Sequence, residues 1–462
     1  MEKIAIVSPV DGRVVVERGL ASTQEIDHVL NSAVKAQRLW CQTPLAERAA
    51  FCLRAIEYLV EQRDVLAEEL TWQMGRPIRY TPGEIGGLEE RARHMIGIAE
   101  KSLSDIVLPE KPGLSRFIRR VPLGVVFVIA PWNYPYLTAV NAIIPALMAG
   151  NTVILKHSLQ TLLCAERFQQ AFKAAGMPEG VFQYLHLSHE GSAQVIKSPE
   201  TAFVSFTGSV ATGILVEQSA AGLLKGVALE LGGKDPAYVR EDAALEDAVA
   251  QLVGGAYFNS GQSCCAVERI YVAAPLYDVF VEAFVTRVKQ YRLGNPLEPE
   301  TTLGPMVSTE AAQRVRAQIK DAIGAGATTC IDPAQFEARK EGSPYLAPQV
   351  LINVNHAMAL MQDESFGPVV GIMKVKDDEE ALALMNDSPY GLTASIWTAD
   401  ETRAATLGDA LQTGTVFMNR CDYLDPGLAW VGVKQSGRGC ALSELGYGQF
   451  TRPKSFYLRK KP

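Results

Sequence analysis

Short apolar runs bounded by glycine or proline alternate in this chain with segments of helical periodicity. The runs cover residues 125–130, 152–156, 182–185 and 202–206, and helical patterns over 142–149 and 162–175 lie between them. Continuous apolar runs are typical of parallel strands that are buried on both faces. The intervening helices fit right-handed β–α–β crossovers. The pattern therefore predicts an α/β fold built on parallel sheets.

The order of the segments predicts more than one domain. Helical patterns over residues 24–36, 45–74 and 84–102 precede the first strands, and after Pro236 the alternation begins again with different motifs. A chain of 462 residues is long enough for two or three domains. Residues 114–121 alternate around arginines, which is typical of an edge hairpin. We predict a domain boundary near Pro236, where the second group of strands and helices begins.

Composition argues against several classes of protein. The formal net charge of −7 and the lack of a basic stretch with interleaved aromatics give no footprint for nucleic acid. The longest apolar stretches, 124–130 and 143–149, fall far short of the roughly 20 residues that a membrane span needs. No signal-peptide pattern follows Met1. Because eight scattered cysteines indicate reduced thiols, we predict a cytoplasmic protein.

The segment Phe258–Cys265 ends in two adjacent cysteines after a Gly-Gln turn. Adjacent cysteines point in different directions, so they do not form the C-x-x-C pair of a zinc site, and no metal is predicted. A glycine-led turn can present one sulfur at a cleft. A nearby helix N-terminus or cation would then favour the nucleophilic thiolate. Taken alone, such a pair is more often buried structure than catalyst.

Two upstream segments carry complementary groups. Glu230 stands between leucines and is followed by Gly-Gly, which suggests a carboxylate in a partly apolar cleft. Burial of this kind raises the pKa of a carboxyl group and makes it a usable base near neutral pH. Asn133 lies between Trp132 and Tyr134 on a turn with proline on both sides. Its amide N–H could be held at a fixed point, as stabilisation of an oxyanion requires.

Together with Glu364-Ser365-Phe366-Gly367-Pro368, these segments stand in the order and spacing of the NAD(P)-dependent aldehyde dehydrogenase superfamily. The resemblance runs from about Ala33 to the C-terminus. It implies that residues 1–103 and 123–236 form a Rossmann-like, dinucleotide-binding domain and that 237–446 form the α/β catalytic domain. It also implies that residues 104–122 and 447–462, which contain the hairpin and the final strand, form small oligomerisation elements, so a homodimer or homotetramer is expected.

The resemblance implies a two-stage oxidation of a small aldehyde. Cys264 would attack the carbonyl, and the Asn133 amide with the Cys264 backbone N–H would hold the oxyanion. Hydride would pass to the nicotinamide, and water activated by Glu230 would hydrolyse the thioester to an acid. Cys265 would be a wall residue. Lys234 would either orient Glu230 or be exposed.

The sequence fits three other classes of protein less well. A coenzyme-A-acylating aldehyde dehydrogenase uses the same cysteine but needs no base for water, so Glu230 argues against it. A cysteine hydrolase needs a histidine partner, and no histidine lies in a motif around Cys264. A non-catalytic structural descendant would have no need to retain Asn133, Glu230 and Cys264 together.

No G-x-G-x-x-G fingerprint follows any predicted strand. Thr207-Gly208-Ser209 instead follows a strand and precedes a helix N-terminus, which suits a pyrophosphate but is also an ordinary loop and cap. The resemblance implies that this turn contacts the cofactor. It implies that Lys156 binds the adenine-ribose hydroxyls and Glu364 the nicotinamide ribose. Phe366 and Trp132 complete the cofactor set, although Phe366 also fits a plain core aromatic.

Leu159 bears on the choice of cofactor. Many NAD-preferring members of the superfamily carry a glutamate three residues after the lysine, where it repels a 2′-phosphate. Leu159 stands there in this chain, so charge-based exclusion of NADP is missing. His157 could favour the phosphate, although a lone histidine is more often packing or surface. We expect NAD as cofactor, with NADP also open.

The substrate is less constrained. Tyr134 and Trp430 match aromatic cage positions of members that oxidise betaine aldehyde or amino-aldehydes. A further cage tryptophan is replaced by Asn141, so the same aromatics fit a tunnel for any apolar aldehyde. The predicted helix that would border the tunnel carries three carboxylates that could add negative potential: Glu84, Glu89 and Glu90. Arg420 is the only candidate carboxylate clamp for a semialdehyde.

Overall fold

Two mostly parallel sheets with helices on their faces make up the centre of the molecule. The structure is a computed structural model that describes residues 3–459. The α-helices are α1 Thr23–Trp40, α2 Leu45–Glu61, α3 Arg63–Met74, α4 Pro82–Leu103, α5 Pro135–Met148, α6 Leu163–Ala174, α7 His189–Lys197, α8 Val210–Ala220, α9 Leu245–Tyr257, α10 Tyr277–Val288, α11 Thr309–Gly324, α12 Ala359–Gln362, α13 Asp378–Asn386 and α14 Glu401–Ala410.

The strands follow the same alternation. They are β1 Lys3–Val7, β2 Val14–Gly19, β3 Ile106–Val107, β4 Leu114–Pro122, β5 Val125–Ala130, β6 Thr152–His157, β7 Phe182–Tyr184, β8 Thr201–Thr207, β9 Gly226–Glu230, β10 Asp235–Val239, β11 Val267–Ala273, β12 Thr328–Thr329, β13 Gln349–Ile352, β14 Val369–Val375, β15 Tyr390–Gly391, β16 Thr393–Trp397, β17 Thr415–Met418, β18 Val433–Lys434, β19 Gly437–Arg438 and β20 Thr451–Arg459. The predicted α/β fold is confirmed.

The first sheet has the strand order β19-β9-β8-β5-β6-β7, in which only the β19–β9 pair is antiparallel. Side chains of β5 alternate between two cores: Val126 and Val128 pack with α2, α4, α5 and α6, whereas Val125 and Phe127 pack with α1, α7 and α8. Burial on both faces explains the continuous apolar run. The chain order reverses at β5, which creates the crevice where such sheets bind ligands.

The second sheet has the order β12-β13-β14-β11-β10-β16-β17, in which only β12 is antiparallel to its neighbour. Its first strand in the chain, β10, begins at Asp235, and four residues connect it to the end of β9 in the first sheet. We propose that the boundary between the two domains lies near Pro236. Residues 437–438 return to the first sheet as β19, so one short piece of the 237–446 segment pairs with the other sheet.

A third sheet, β20-β4-β3, lies apart from these two. The nine residues of β20 pair antiparallel with all of β4. The hairpin predicted around residues 114–121 begins earlier in the chain: residues 114–122 are the single strand β4, which pairs antiparallel with β3 at 106–107 and on its other side with β20. The final strand predicted within residues 447–462 is β20, and residues 460–462 lie outside the described residues.

Two helix boundaries also differ from the sequence prediction. Residues 45–74 form two helices, since Gln62 (φ −93°, ψ 8°) leaves helical geometry between α2 and α3. Helix α5 begins at Pro135 rather than at 142, and a proline in the first turn is a start signal that the sequence offered. None of the helices within residues 3–459 has both the length and the apolar composition that a membrane span requires.

Candidate active site

The carboxyl ends of four neighbouring strands supply one wall of a long crevice. The turn with Asn133 follows β5, Lys156 lies near the end of β6, Thr207 ends β8 and Glu230 ends β9. Parallel strands present these ends at the same edge of the sheet. Residues that are up to 97 positions apart in the sequence, from Asn133 to Glu230, therefore meet.

Two connected hollows meet at Cys264. A groove of about 610 Å³ is lined by the turns after β5 and β8. A cavity of about 440 Å³ opens on the other side, between α4, α5 and residues 421–424. Cys264, Glu230 and Thr207 line both hollows. A molecule in the cavity and a cofactor in the groove would thus both reach the Cys264 sulfur.

Cys264 is presented by a strained turn. Asn259 (φ 53°), Ser260 (φ 58°) and Gly261 (φ 70°) are all in the left-handed region, which costs energy for the two non-glycine residues. A Cβ on Gly261 would collide with the backbone of Gly367, so only glycine fits there. Side-chain hydrogen bonds hold the turn: Ser260 Oγ donates to Gly304 O at 2.9 Å, and Gln262 Oε1 accepts from Val307 N at 2.8 Å.

The Asn133 turn is fixed against this loop. Asn133 is 5% exposed, and its Nδ2 donates to Gln262 O at 3.1 Å, which leaves the second N–H of the amide free. The backbone carbonyl of Asn133 accepts a hydrogen bond from Arg76 and, at 3.3 Å, one from Asn259 Nδ2. Arg76 also donates from Nε to Asn259 Oδ1 at 3.1 Å. The Asn133 turn and the Cys264 turn are therefore both hydrogen-bonded to the same buried arginine, Arg76.

Glu230 has the properties of a base near neutral pH. Burial raises the pKa of Glu230 to about 7, and a hydrogen bond from Thr207 Oγ1 to Glu230 Oε2 at 3.3 Å opposes that rise only in part. A pKa near the working pH keeps a large fraction of the carboxylate unprotonated and still basic. Cys265, by contrast, is buried, and hydrogen bonding with Cys264 together with burial raises its pKa well above the usual value.

The groove fits a dinucleotide. Helix α8 begins after Ser209, whose hydroxyl caps the Thr212 N–H, and its first turn leaves N–H groups for an anion. Lys156 faces the groove without an ion-pair partner among residues 3–459, and burial lowers its pKa to about 8. A partly buried cation of this kind gains from a ligand with hydroxyl or phosphate oxygens. Trp132, Gly208 and Glu364 also line the groove.

A buried network shapes the Glu364–Phe366 segment. Glu268, 3% exposed, accepts from the backbone N–H of Ser365 at 2.8 Å and of Phe366 at 2.9 Å. It also pairs with Lys234 Nζ at 2.5 Å, and Lys234 is 1% exposed. Lys234 is thus neither exposed nor bonded to Glu230, and it supports this loop instead. Phe366 (φ 50°) is held against Trp132, with ring centroids 5.6 Å apart.

The Glu364 side chain lies close to the backbone of Gly232 and Gly233, which connect β9 to β10. Its Oε1 accepts from Gly233 N at 3.1 Å, and burial raises its pKa to about 8. A Cβ on Gly232 would collide with this carboxylate. A Cβ on Gly233 would instead collide with the backbone oxygen of Cys264, so the two glycines allow the close approach of two different groups.

Of the two alternatives for His157, the structure favours the packing residue over the phosphate ligand. His157 is 1% exposed, bonds Pro135 O at 3.1 Å through Nε2 and accepts from Thr161 Oγ1 at 3.2 Å through Nδ1. Burial lowers its pKa to about 3, so it is neutral and turned away from any phosphate. Ser158 lines the groove beside Lys156, and Leu159 is partly exposed at the start of the next turn.

The residues that line the cavity beside Cys264 agree in part with those predicted for the substrate tunnel. Tyr134 and Trp430 line it, and so does Asn141. Glu84 does not, because it is 2% exposed and paired with Arg76, and Glu89 pairs with Arg93 outside the cavity. Of the three glutamates only Glu90 lines the cavity.

Arg420, the only arginine that the sequence offered as a carboxylate clamp, does not lie at the cavity. It is exposed, stacks on the Tyr423 ring with 3.7 Å from its Cζ to the ring centroid, and does not line the cavity. Arg91 lines it instead. The helical spacing of α4 placed Arg91 one turn from Leu88 and seven residues from Glu84, but nothing in the sequence marked the side of the helix that faces Cys264.

Asp422 is a further cavity residue that the sequence did not reveal. Its Oδ1 accepts from Ser263 Oγ at 3.2 Å and from Cys265 Sγ at 3.1 Å, and burial raises its pKa to about 6. It has positive φ (49°), which is uncommon for a non-glycine residue. No local motif surrounds it, so only the fold connects it with the cysteines.

A family model described as the aldehyde dehydrogenase family matches residues 1–456. The chain belongs to the aldehyde dehydrogenase family. It is 36% identical over 461 residues to the succinate-semialdehyde dehydrogenase [NADP(+)] of Deinococcus radiodurans, covering 99% of this chain and 96% of that protein. It is 34% identical over 448 residues to the succinate semialdehyde dehydrogenase [NAD(P)+] Sad of Escherichia coli, covering 96% and 95% of the two chains.

Solved structures agree with membership of the family. An aldehyde dehydrogenase from Brucella melitensis biovar abortus superposes with a TM-score of 0.96 at 30% identity, over 100% of this chain and 95% of that one. The NADP-dependent glyceraldehyde-3-phosphate dehydrogenase of Bacillus halodurans, solved with NADP, gives 0.94 at 31% identity, over 100% and 96%. The expected family is confirmed, and the protein is an NAD(P)-dependent oxidoreductase acting on aldehydes.

Proposed function

We propose that this aldehyde dehydrogenase uses Cys264 as nucleophile, Asn133 as oxyanion donor and Glu230 as base for water. The observation that carries this assignment is that Cys264 and Glu230 both line the point where the groove and the cavity meet. A thiol that is reachable from both hollows can hold the substrate between a cofactor and a base.

The Cys264 thiolate attacks the aldehyde carbon and forms a C–S bond, and the carbonyl electron pair moves to the oxygen. The N–H of Asn133 that Gln262 leaves free donates to this oxyanion, with the Cys264 backbone N–H as second donor. Oxidised NAD or NADP, when bound, supplies the hydride acceptor. The carbon left on Cys264 is then a thioester.

Glu230 removes a proton from water as the water oxygen attacks the thioester carbon. The C–S bond breaks, the Cys264 thiolate is released, and the product is a carboxylic acid. The raised pKa of Glu230, about 7, suits this step because a carboxylate of ordinary pKa would be a weaker base. A coenzyme-A-acylating enzyme would have no use for this group.

We propose that Lys156, Thr207, Gly208, Ser209, Glu364, Phe366 and Trp132 bind the cofactor. All seven line the groove. The unpaired Lys156 cation and the first turn of α8 supply binding for hydroxyl and phosphate oxygens. Both NAD and NADP are expected to serve, because Leu159 provides no carboxylate that would repel a 2′-phosphate.

Succinate semialdehyde is the substrate that we propose, in keeping with the names of the two bacterial relatives. An alkylammonium aldehyde is less favoured, because the aromatic cage of Tyr134 and Trp430 is incomplete where Asn141 stands. Asn141 is 3% exposed, so its amide is part of the buried cavity wall.

We further propose a homodimer or homotetramer in the cytoplasm. Support for association comes from β20, a nine-residue edge strand, and from exposed apolar side chains on the same sheet: Val107 is 77% and Tyr457 69% exposed. An edge of this kind is usually covered by a partner. The eight cysteines are all unpaired, which suits a reducing compartment.

Product isotope analysis tests the reaction directly. The protein is incubated with succinate semialdehyde and NAD or NADP in water labelled with oxygen-18, without coenzyme A. We expect labelled oxygen in the new carboxylate and one reduced cofactor for each acid formed. An enzyme that reduces the cofactor only after coenzyme A is added would contradict the role of Glu230.

A further inference from the structure

Arg91 is a buried cation in the wall of the substrate cavity. It lies on α4, is 8% exposed, and lines the same cavity as Cys264 and Glu230. Its Nη1 donates to Leu137 O at 3.0 Å. The ion pairs that α4 makes within residues 3–459 leave Arg91 without a partner; they are Arg76–Glu84, Arg93–Glu57, Arg93–Glu89 and Lys101–Glu444.

An unpaired buried charge is costly. Arginine stays protonated in proteins, so Arg91 does not avoid the cost by losing its proton. Burial lowers its pKa, which shows how poorly solvent stabilises the cation at this position. A buried charge is normally retained only where it is paired or where a ligand pairs with it. Because Arg91 faces a cavity, the missing partner is an anion that enters it.

Asn141 gives an independent second observation. It lies on α5, also lines the cavity and is 3% exposed. Its Oδ1 is turned toward Arg91, 3.5 Å from Nη1, so its Nδ2 is the group left to donate. That Nδ2 is buried and has no hydrogen-bond partner among the described residues. An unsatisfied buried donor costs about 1–3 kcal/mol, which a ligand oxygen would recover.

We propose that Arg91 and Asn141 form a carboxylate subsite that selects short aldehydes with a carboxylate at the far end. This inference rests on the proposed function, since Cys264 fixes the position of the aldehyde carbon. Arg91, Asn141 and Cys264 line the same cavity, so the far end of an aldehyde held at Cys264 would lie in the cavity that Arg91 and Asn141 line.

Other charges in the cavity do not remove the need for an anion. Asp422 accepts hydrogen bonds from Ser263 and Cys265, and burial raises its pKa to about 6. Glu230 is likewise a weakened acid. Glu90 is exposed and lies 3.4 Å from the Tyr423 hydroxyl, which donates to it. Each of these carboxylates has its own donor or is readily protonated, and none forms an ion pair with Arg91 in residues 3–459.

Matched substrates test the subsite. Initial rates are measured with succinate semialdehyde and with butanal, which has four carbons and no charge. We expect Arg91→Gln to lower kcat/KM for the semialdehyde by at least about 30-fold, as truncation of a buried charged partner does. Butanal should change by less than about threefold. Arg93→Gln, on the exposed side of the same helix, is the control and should alter neither value.

Asn141→Leu separates ligand binding from folding, because it keeps the bond between Arg91 and Leu137. It should lower kcat/KM for the semialdehyde about tenfold and spare butanal. Succinate should inhibit butanal oxidation competitively in the wild type, and much more weakly in Arg91→Gln. Equal loss with both substrates in both variants would show that these residues only support α5, and would overturn the subsite.

Different results would contradict the carboxylate subsite and the proposed aldehyde oxidation. A wild-type enzyme that oxidises butanal as well as the semialdehyde would overturn the subsite and leave the proposed chemistry standing. A wild-type enzyme that oxidises neither aldehyde with NAD or NADP would overturn the proposed function, and the subsite with it.

Discussion

Arg76 and Glu84 form an ion pair buried directly behind the Asn133 turn. The Glu84 carboxylate also accepts from the backbone N–H of Tyr136 at 2.9 Å and of Leu137 at 3.2 Å, and so caps the first turn of α5. Arg76 donates to the Asn133 carbonyl. The pair therefore fixes the direction of the Asn133 side chain relative to the Cys264 loop, although neither residue faces a substrate.

Removal of one member of this pair should cost stability. Glu84→Gln leaves the Arg76 charge buried without its partner, and we expect a loss of roughly 3–5 kcal/mol in the free energy of unfolding. Glu89→Gln removes an exposed ion pair on the same helix and should cost less than about 1 kcal/mol. Chemical denaturation of both variants measures the difference. Equal stability of the two would show that the buried pair contributes little.

The two adjacent cysteines should behave differently. Cys264→Ser is expected to abolish NAD(P)-linked aldehyde oxidation, whereas Cys265→Ser should keep most of it, because the raised pKa of Cys265 keeps it a thiol. Steady-state rates and mapping of iodoacetamide-labelled peptides provide the measurements. Labelling confined to Cys265, or equal inactivation of both variants, would mean that the nucleophile has been misassigned.

Glu230→Gln should form the thioester and then stall. A pre-steady-state burst of reduced cofactor followed by slow turnover is expected in stopped-flow absorbance. In the wild type the base must be unprotonated, so turnover limited by hydrolysis should rise with pH through the Glu230 pKa of about 7. This rise should be absent in the variant. Glu90→Gln, an exposed residue of the same cavity, should retain the wild-type profile.

Leu159→Glu should shift cofactor preference toward NAD. The new carboxylate would bond a ribose diol and repel a 2′-phosphate, and a charged hydrogen bond of that kind contributes roughly 1.5–3 kcal/mol. We expect the NAD:NADP ratio of kcat/KM to rise about tenfold or more. Gln160→Glu adds the same charge one position later and serves as control. An unchanged ratio in Leu159→Glu would place the adenine ribose away from Lys156.

The strand β20 should be needed for association. Deleting the residues after Thr451 removes all but the first residue of β20 and leaves one edge of β4 unpaired, so we expect monomers or insoluble protein. Sedimentation of the full-length chain and of the truncated chain tests this. A full-length protein that sediments as a monomer at micromolar concentration would rule out the proposed oligomer.

The sequence by itself determined the buried strands and the short motifs of this protein. Apolar runs identified β5, β6 and β8 because strands buried on both faces leave a continuous apolar pattern. Motifs identified Cys264, Glu230 and Asn133 because each lies in a short segment with its own turn chemistry. The break at Gln62 could not be predicted, since the residues around it are good helix formers and no glycine or proline marks the change in direction.

Only the tertiary structure decided what charged side chains on α4 do. Glu84, Glu90 and Arg91 are ordinary helix residues in the sequence. In the fold Glu84 is a buried cap, whereas Glu90 and Arg91 both line the cavity beside Cys264, the first exposed and the second buried. His157 similarly proved to be a neutral packing residue rather than a phosphate ligand. The side of a helix that meets a cavity depends on how that helix packs against its neighbours, and no local pattern of residues records that packing.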